Sequence, residues 1–136
     1  MDKANRLYYG DNLVWLRKPN EFPNGSVDLI YLDPPFNSKA DYNVIFKEQG
    51  GESSPAQVQT FDDTWHWDSE SSAEALQDLS TRKPELAALI SWVGSQSTKS
   101  ATSMAAYLAM MSVRLIELHR VLKPTGSIYL HCDPAA

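Results

Sequence analysis

Cysteine and long apolar runs are scarce in this sequence, and each shortage excludes a class of protein. The single cysteine, Cys132, can form no intrachain disulfide and offers no cysteine-based metal cluster. No apolar run approaches the length of a membrane-spanning helix, and Met1-Asp2-Lys3 begins no signal peptide. We therefore expect a cytoplasmic protein that has no metal site and no membrane partner.

Basic residues are also in short supply. The 12 lysine and arginine residues are outnumbered by 17 aspartate and glutamate residues, so the formal net charge is −5. Proteins hold duplex DNA mainly by neutralising its phosphates with Lys and Arg. The charge balance therefore argues against this segment forming a DNA-binding surface by itself.

The remaining composition is that of an ordinary globular domain. The chain has 136 residues, of which 43% are hydrophobic and 21% are charged. This length is enough for one domain with a real core, and the sequence shows neither an internal repeat nor a domain boundary. We treat residues 1–136 as part of a single domain.

The rest of the chain is organised around an apolar run that ends in an acidic residue, two prolines and an aromatic ring. Residues 27–32 are typical of a buried β-strand. Pro34 and Pro35 must end this strand, because neither has an N–H for the ladder. Asp33 is therefore predicted at the carboxyl end of a core strand, where open α/β sheets build their sites. Its carboxylate, a backbone carbonyl and the ring of Phe36 would be presented together on a stiff turn.

Local patterns predict the other elements. The strongest helix prediction covers 104–122, followed by a helix end at 123–126 and a second buried strand at 127–132. Strand, helix and strand then fit one right-handed parallel crossover. One apolar stripe of the long helix is predicted to pack on the sheet, and it consists of Met104, Tyr107, Leu108, Met111, Leu115, Leu118 and Leu122. The further predictions are a short strand at 6–9, a brief helix at 13–16, a turn at 23–26, helices at 69–80 and 84–93, and a polar connector at 95–103.

The Asp33-Pro34-Pro35-Phe36 segment resembles the catalytic motif of the amino-group DNA methyltransferases, which methylate adenine N6 or cytosine N4. Gly10-Asp11 before it and the Leu-Lys-Pro-Thr-Gly-Ser segment at 122–127 strengthen the resemblance. The order of motifs is similar to the β-type arrangement. The resemblance implies an α/β fold, namely a partial Rossmann-like S-adenosylmethionine-dependent methyltransferase fold with a mostly parallel sheet. It makes residues 1–136 the N-terminal part of one catalytic domain.

The resemblance also implies roles for the residues of the motif. An exocyclic amine is a poor nucleophile, and the Asp33 carboxylate and the Pro34 carbonyl can accept its two N–H groups and direct its lone pair. Pro35 stiffens the turn, and Phe36 provides a stacking face for the flipped-out base. The methyl donor of the family is S-adenosylmethionine, and transfer is direct. On the motif alone, a simple strand-ending turn remains an alternative.

Cofactor contacts are implied at Asp11, Asn12 and Asp33. In related methyltransferases an acidic residue after the first strand accepts a hydrogen bond from the adenine amino group of the cofactor, and Asp11 has that place. Asn12 would line the adenine pocket. A helix N-cap is an equally good interpretation of Asp11.

Two segments near the motif have open interpretations. Residues 37–60 are predicted to form a mobile loop beside the site, in which Lys39 or Tyr42 could touch phosphate or base. Trp65 and Trp67 flank His66, and they could stack on an extruded base or anchor the loop to the core. A lone histidine without further ligands predicts no metal site.

The sequence has no Gly-x-Gly or Phe-x-Gly-x-Gly segment, which the family uses to hold the methionine part of the cofactor. The target-recognition region is absent as well. We therefore expect the front portion of a truncated or split methyltransferase, with an open apolar edge on the strand at 27–32. The implied partners are DNA and the missing C-terminal half or a restriction subunit. Asp before Pro-Pro favours adenine N6 over cytosine N4. A non-catalytic interaction fragment is the main alternative, and methylation of RNA or a protein amide is a minor one.

Overall fold

The computed structural model describes residues 5–34 and 70–132. The predicted loop at 37–60, Pro35, Phe36 and the Trp65–Trp67 segment lie outside them. The described chain is mixed α/β. Its elements in order are α1 (Asn12–Leu16), β1 (Val27–Leu32), α2 (Glu70–Arg82), α3 (Pro84–Gly94), α4 (Lys99–Val121) and β2 (Leu122–Leu130).

The predicted parallel pairing of the two strands is confirmed. Strands β1 and β2 pair in parallel, with Ile30 opposite Ile128 and Leu32 opposite Leu130. Helix α4 leads directly into β2. Among the described residues β1 pairs with β2 alone, so its other edge carries no strand there. This two-stranded sheet is compatible with part of a methyltransferase fold.

Strand β2 begins earlier than predicted, at Leu122, so the expected helix end at 123–126 belongs to the strand. Leu122 pairs with Val27, and the register then shifts before Ser127 pairs with Leu29. The two strands approach each other closely at Gly126, where a Cβ would lie 3.0 Å from the carbonyl oxygen of Asp28. Glycine suits this position because it has no Cβ. Pro and Gly suggested a helix end locally, whereas pairing with β1 makes these residues part of a strand.

The predicted strand at 6–9 is wrong, because these residues adopt irregular structure. Side-chain contacts, and not the backbone hydrogen bonds of a sheet, fix this segment in place. The ring of Tyr8 packs 4.8 Å from that of Trp15 and 5.2 Å from that of Phe22. Arg6 and the Tyr8 hydroxyl both donate to Glu21, at 3.0 and 2.9 Å.

The prediction that β1 is a buried strand is also wrong. Ile30 is the one buried residue of the strand, whereas Leu29 and Tyr31 are 60% and 67% exposed. Ile30 packs with Leu118 and Val121 of α4, so the helix covers one face of the sheet. The opposite face, which carries Leu29, Tyr31 and Tyr129, is uncovered by any described element.

Helix α4 begins at Lys99, so the second half of the predicted connector at 95–103 is helical. Thr98 caps the helix, since its hydroxyl accepts from the Ala101 N–H at 3.2 Å. Serine and threonine are common at caps and in turns, which is why the local sequence suggested a connector. None of the described helices combines the length and apolar character that a membrane crossing requires.

The buried face of α4 differs from the predicted stripe, of which only Met111 and Leu118 are buried. The face of α4 that packs against α2 and α3 instead carries mostly small residues, which let these helices approach closely. Ala105, Ala109 and Val113 are fully buried there. The helix therefore divides its packing between a three-helix core and the sheet.

A buried carboxylate ties α1, α2 and α4 together. Glu117 is 5% exposed and accepts hydrogen bonds from Arg82 at 2.8 Å and from Arg120 at 2.7 Å. Arg17 lies 3.8 Å away and also pairs with Asp78. Burial by itself would raise the pKa of Glu117, but the bonds from Arg120 and Arg82 outweigh it and hold the pKa below its ordinary value.

Candidate functional site

Asp33 lies where the sequence predicts it, directly after the last residue of β1. Its side chain is 63% exposed, so the carboxylate is open to an incoming group. Pro34 follows and contributes a backbone carbonyl but no N–H. An exposed carboxylate beside a carbonyl forms a pair of hydrogen-bond acceptors at the carboxyl end of a parallel strand.

A histidine missing from the sequence predictions completes this end of the sheet. His131 follows β2, and its backbone N–H donates to the Leu32 carbonyl at 2.8 Å, which extends the ladder by one residue. Its Nδ1 lies 2.9 Å from Oδ1 of Asp33. Only part of this signal was present in the sequence, because the local patterns placed Asp33 directly after the first strand but His131 within the predicted strand at 127–132. The strand in fact ends at Leu130.

Asp11 is the N-cap of α1, so that interpretation is confirmed. Its Oδ1 accepts from the Leu13 N–H at 2.8 Å. Arg114 of α4 also donates to both carboxylate oxygens, at 2.9 and 2.8 Å, and to Oδ1 of Asn12 at 3.0 Å. Arg114 thus fixes the start of α1 against α4. The sequence offered no signal for this arginine, which is one of several charged residues on a long helix.

The surroundings of Asp11 leave limited room. A carboxylate has about four acceptor positions, and the three bonds described leave one on Oδ2. A hollow of about 100 Å³ adjoins it, lined in part by Glu74, Met110 and Arg114. At about 30 Å³ for each water, this volume holds only a few water molecules.

The predicted site residues that the structure describes, together with His131, therefore form two groups. Asp33, Pro34 and His131 lie together at the carboxyl ends of β1 and β2. Asp11 and Asn12 form the second group, and both accept hydrogen bonds from Arg114. Within the described ranges no hydrogen bond or ion pair joins the two groups, and no cluster of three or more potential metal ligands occurs. Pro35 and Phe36 lie outside the described residues.

Comparison with known proteins bears on both groups. The family model described as DNA methylase, of the N6/N4 type, matches residues 27–136. The Mod subunit of the type III restriction-modification enzyme StyLTI from Salmonella typhimurium (strain LT2) is 33% identical over 130 residues, covering 95% of this chain and 16% of that protein. The chain thus spans about a sixth of the length of this relative.

The family match begins at the first residue of β1 and includes Asp33, Pro34 and His131, while Asp11 and Asn12 precede it. No solved structure matches the chain significantly. Because the family model covers most of the sequence, the resemblance suggested by the Asp-Pro-Pro-Phe segment is confirmed. The chain belongs to the N6/N4 DNA methylase family.

Proposed function

We propose that this chain supplies the catalytic residues for transfer of a methyl group from S-adenosylmethionine to an exocyclic amine of a DNA base. Adenine N6 is the proposed acceptor. The observation that carries the proposal is the exposed Asp33 carboxylate directly before the Pro34 carbonyl, at the carboxyl end of β1. This pair has the acceptors that an –NH₂ group needs.

The reaction at this pair is a direct substitution. The amine nitrogen would take the methyl group, the sulfur of the donor would keep the electron pair of the broken C–S bond and leave as a neutral thioether, and the surplus amine proton would pass to water. The carboxylate of Asp33 accepts one amine N–H and opposes the positive charge that develops on nitrogen, while the carbonyl of Pro34 accepts the other N–H. Catalysis is then positioning and electrostatics, with no covalent enzyme intermediate. The base must first leave the duplex, which costs roughly a few kcal/mol.

We propose that Asp11 and Asn12 contact the adenine end of the methyl donor. S-adenosylmethionine supplies an electrophilic methyl group when it is bound. The remaining acceptor position of Asp11, on Oδ2, suits the amino group of an adenine ring, and Asn12 lies beside it. Asp33 is the proposed contact nearest to the methyl group. The sequence contains no Gly-x-Gly segment for the methionine end.

We further propose that these residues act within a larger protein, alongside a target-recognition region or a restriction subunit. The match to a Mod subunit covers only 16% of that relative. The sheet face with Leu29, Tyr31 and Tyr129, which no described element covers, supports this proposal, since exposed apolar side chains of a strand are normally covered. A non-catalytic interaction fragment is the competing function, and the same exposed face favours it.

The function is tested by expressing the full-length protein that carries this sequence in a host without DNA methylation, and by mapping modified bases across the genome. We expect N6-methyladenine at one recurring sequence context. Detection of N4-methylcytosine instead would make cytosine N4 the acceptor, with the same methyl-transfer reaction. A genome that stays unmodified despite folded, S-adenosylmethionine-binding protein would support the non-catalytic fragment.

Substitution of Phe36, which lies outside the described residues, tests base stacking. We expect Phe36→Ala to lower kcat/KM for methyl transfer by about 5- to 150-fold, because stacking on a base is worth about 1–3 kcal/mol. Phe36→Tyr keeps the ring and should stay within about threefold of the original rate. Steady-state assays of both variants with the same DNA decide, and an unaltered Phe36→Ala rate removes the stacking role.

Substitution of Asp11 separates its capping role from the proposed cofactor contact. Asp11→Asn keeps a capping oxygen but loses the acceptor on Oδ2, so we expect affinity for S-adenosylmethionine to fall about tenfold or more. Asp11→Ala also removes the cap and should cost a further 0.5–2 kcal/mol, approximately, in unfolding free energy. Calorimetric titration and denaturant unfolding measure the two effects. Original affinity in Asp11→Asn would leave Asp11 as a cap alone.

A further inference from the structure

The parallel register places the side chains after the two strands next to each other. Leu32 lies opposite Leu130, and the bond from the His131 N–H to the Leu32 carbonyl carries the pairing one step further. Asp33 and His131 are therefore neighbours across the sheet. Their side chains meet, with Nδ1 of His131 2.9 Å from Oδ1 of Asp33.

This contact restrains an otherwise free side chain. Asp33 is 63% exposed, and an exposed aspartate samples several rotamers. Within residues 5–34 and 70–132, His131 is the one side chain that bonds to the Asp33 carboxylate. The bond occupies Oδ1, so Oδ2 is left to accept from a substrate.

We propose that His131 is a positioning residue for methyl transfer, and this proposal rests on the function proposed above. Its Nδ1–H donates to Oδ1 and holds the carboxylate in one rotamer, so that Oδ2 and the Pro34 carbonyl together accept the two amine N–H groups. The sheet sets this arrangement before substrate arrives. Because His131 acts through Asp33, it affects the alignment of the reacting amine rather than the binding of DNA.

Two substitutions of His131 separate hydrogen bonding from packing. Asn places an amide N–H close to the position of Nδ1–H, whereas Leu has a similar size and no donor. In the full-length protein we expect His131→Leu to lower kcat about 10- to 100-fold with little change in KM for DNA. His131→Asn should restore kcat to within about threefold of the original. His119→Leu is the matched control, since His119 is an exposed histidine at the end of α4.

The outcomes distinguish the two proposals. An original kcat in His131→Leu, or an equal loss of kcat in the Leu and Asn variants, overturns the positioning role. An original rate in Asp33→Ala overturns the assignment of Asp33 and the positioning role with it, whereas absence of methyl transfer by the folded, cofactor-bound original protein overturns the proposed function. If His131→Leu does not fold, His131→Asn alone tests the proposal. Asn keeps the hydrogen-bond donor to Asp33, so a full loss of kcat in folded His131→Asn contradicts the positioning role.

A spectroscopic measurement tests the contact without catalysis. In protein labelled with ¹⁵N at histidine, the imidazole of His131 should carry its proton on Nδ1, and Asp33→Ala should shift the ring towards the Nε2–H tautomer. The His131→Asn spectrum assigns the signal. A His131 signal that is identical with and without Asp33 overturns the inference, whatever the activity of the protein.

Discussion

Asp33→Ala in the full-length protein is expected to reduce methyl transfer at least 100-fold, approximately. The substitution removes both the acceptor for one amine N–H and the negative charge that opposes the developing ammonium, and loss of one preorganised group of this kind costs about 10²–10³ in rate. The side chain is exposed and its described bond is to an exposed histidine, so we expect little change in stability.

The matched control for this substitution is Asp28→Ala in the same strand. Asp28 is 77% exposed and pairs with Lys123 at 2.7 Å, so the variant also removes one exposed carboxylate with a basic partner. Its transfer rate should equal that of the original protein. Retention of more than a few per cent of activity in Asp33→Ala, with folding confirmed by circular dichroism, would exclude Asp33 as the catalytic carboxylate.

Of the substitutions proposed, Glu117→Ala is expected to cause the largest loss of stability, about 3–5 kcal/mol of unfolding free energy. The reason is electrostatic, because Arg82 and Arg120 would lose the buried carboxylate that neutralises them. Denaturant unfolding of the full-length protein measures the loss. Glu74→Ala is the control, since Glu74 is an exposed residue of the neighbouring helix α2 and should change stability by only about 0.5 kcal/mol.

The same carboxylate predicts a dependence of stability on pH. The pKa of Glu117 in the folded protein lies below its ordinary value of 4.5, because the arginine bonds outweigh burial. Its stabilisation is therefore complete above the unfolded pKa and is lost as pH falls through the lower folded pKa. Glu117→Gln should lose less stability than the original protein when pH falls below 4.5. Equal losses in both would contradict this account of the ion network.

Local patterns were sufficient for much of this architecture. The apolar run ended by two prolines predicted β1 and the place of Asp33. The apolar stripe within 104–122 predicted most of α4. Pro84 marked the start of α3, as a proline at the first helical position usually does. These elements are specified by residues close in sequence, which is why the sequence alone identified them.

Contact between residues distant in the chain explains the errors at 123–126 and 6–9 and the missed role of His131. Lys123-Pro124-Thr125-Gly126 is typical of a helix end, and only pairing with β1 makes it part of a strand. Tyr8 packs on Trp15 and Phe22 instead of joining a sheet. His131 gains a role only through the parallel register that brings it to Asp33.

The central claim is tested most directly by following labelled methyl groups from S-adenosylmethionine into unmodified DNA, with nucleoside analysis of the product. The assay compares the full-length protein with its Asp33→Ala and Asp28→Ala variants. We predict label in N6-methyladenine with the original protein and with Asp28→Ala, and none with Asp33→Ala. Equal label from all three proteins would contradict the assignment of Asp33, and absence of label from folded, cofactor-bound protein would contradict the proposed activity.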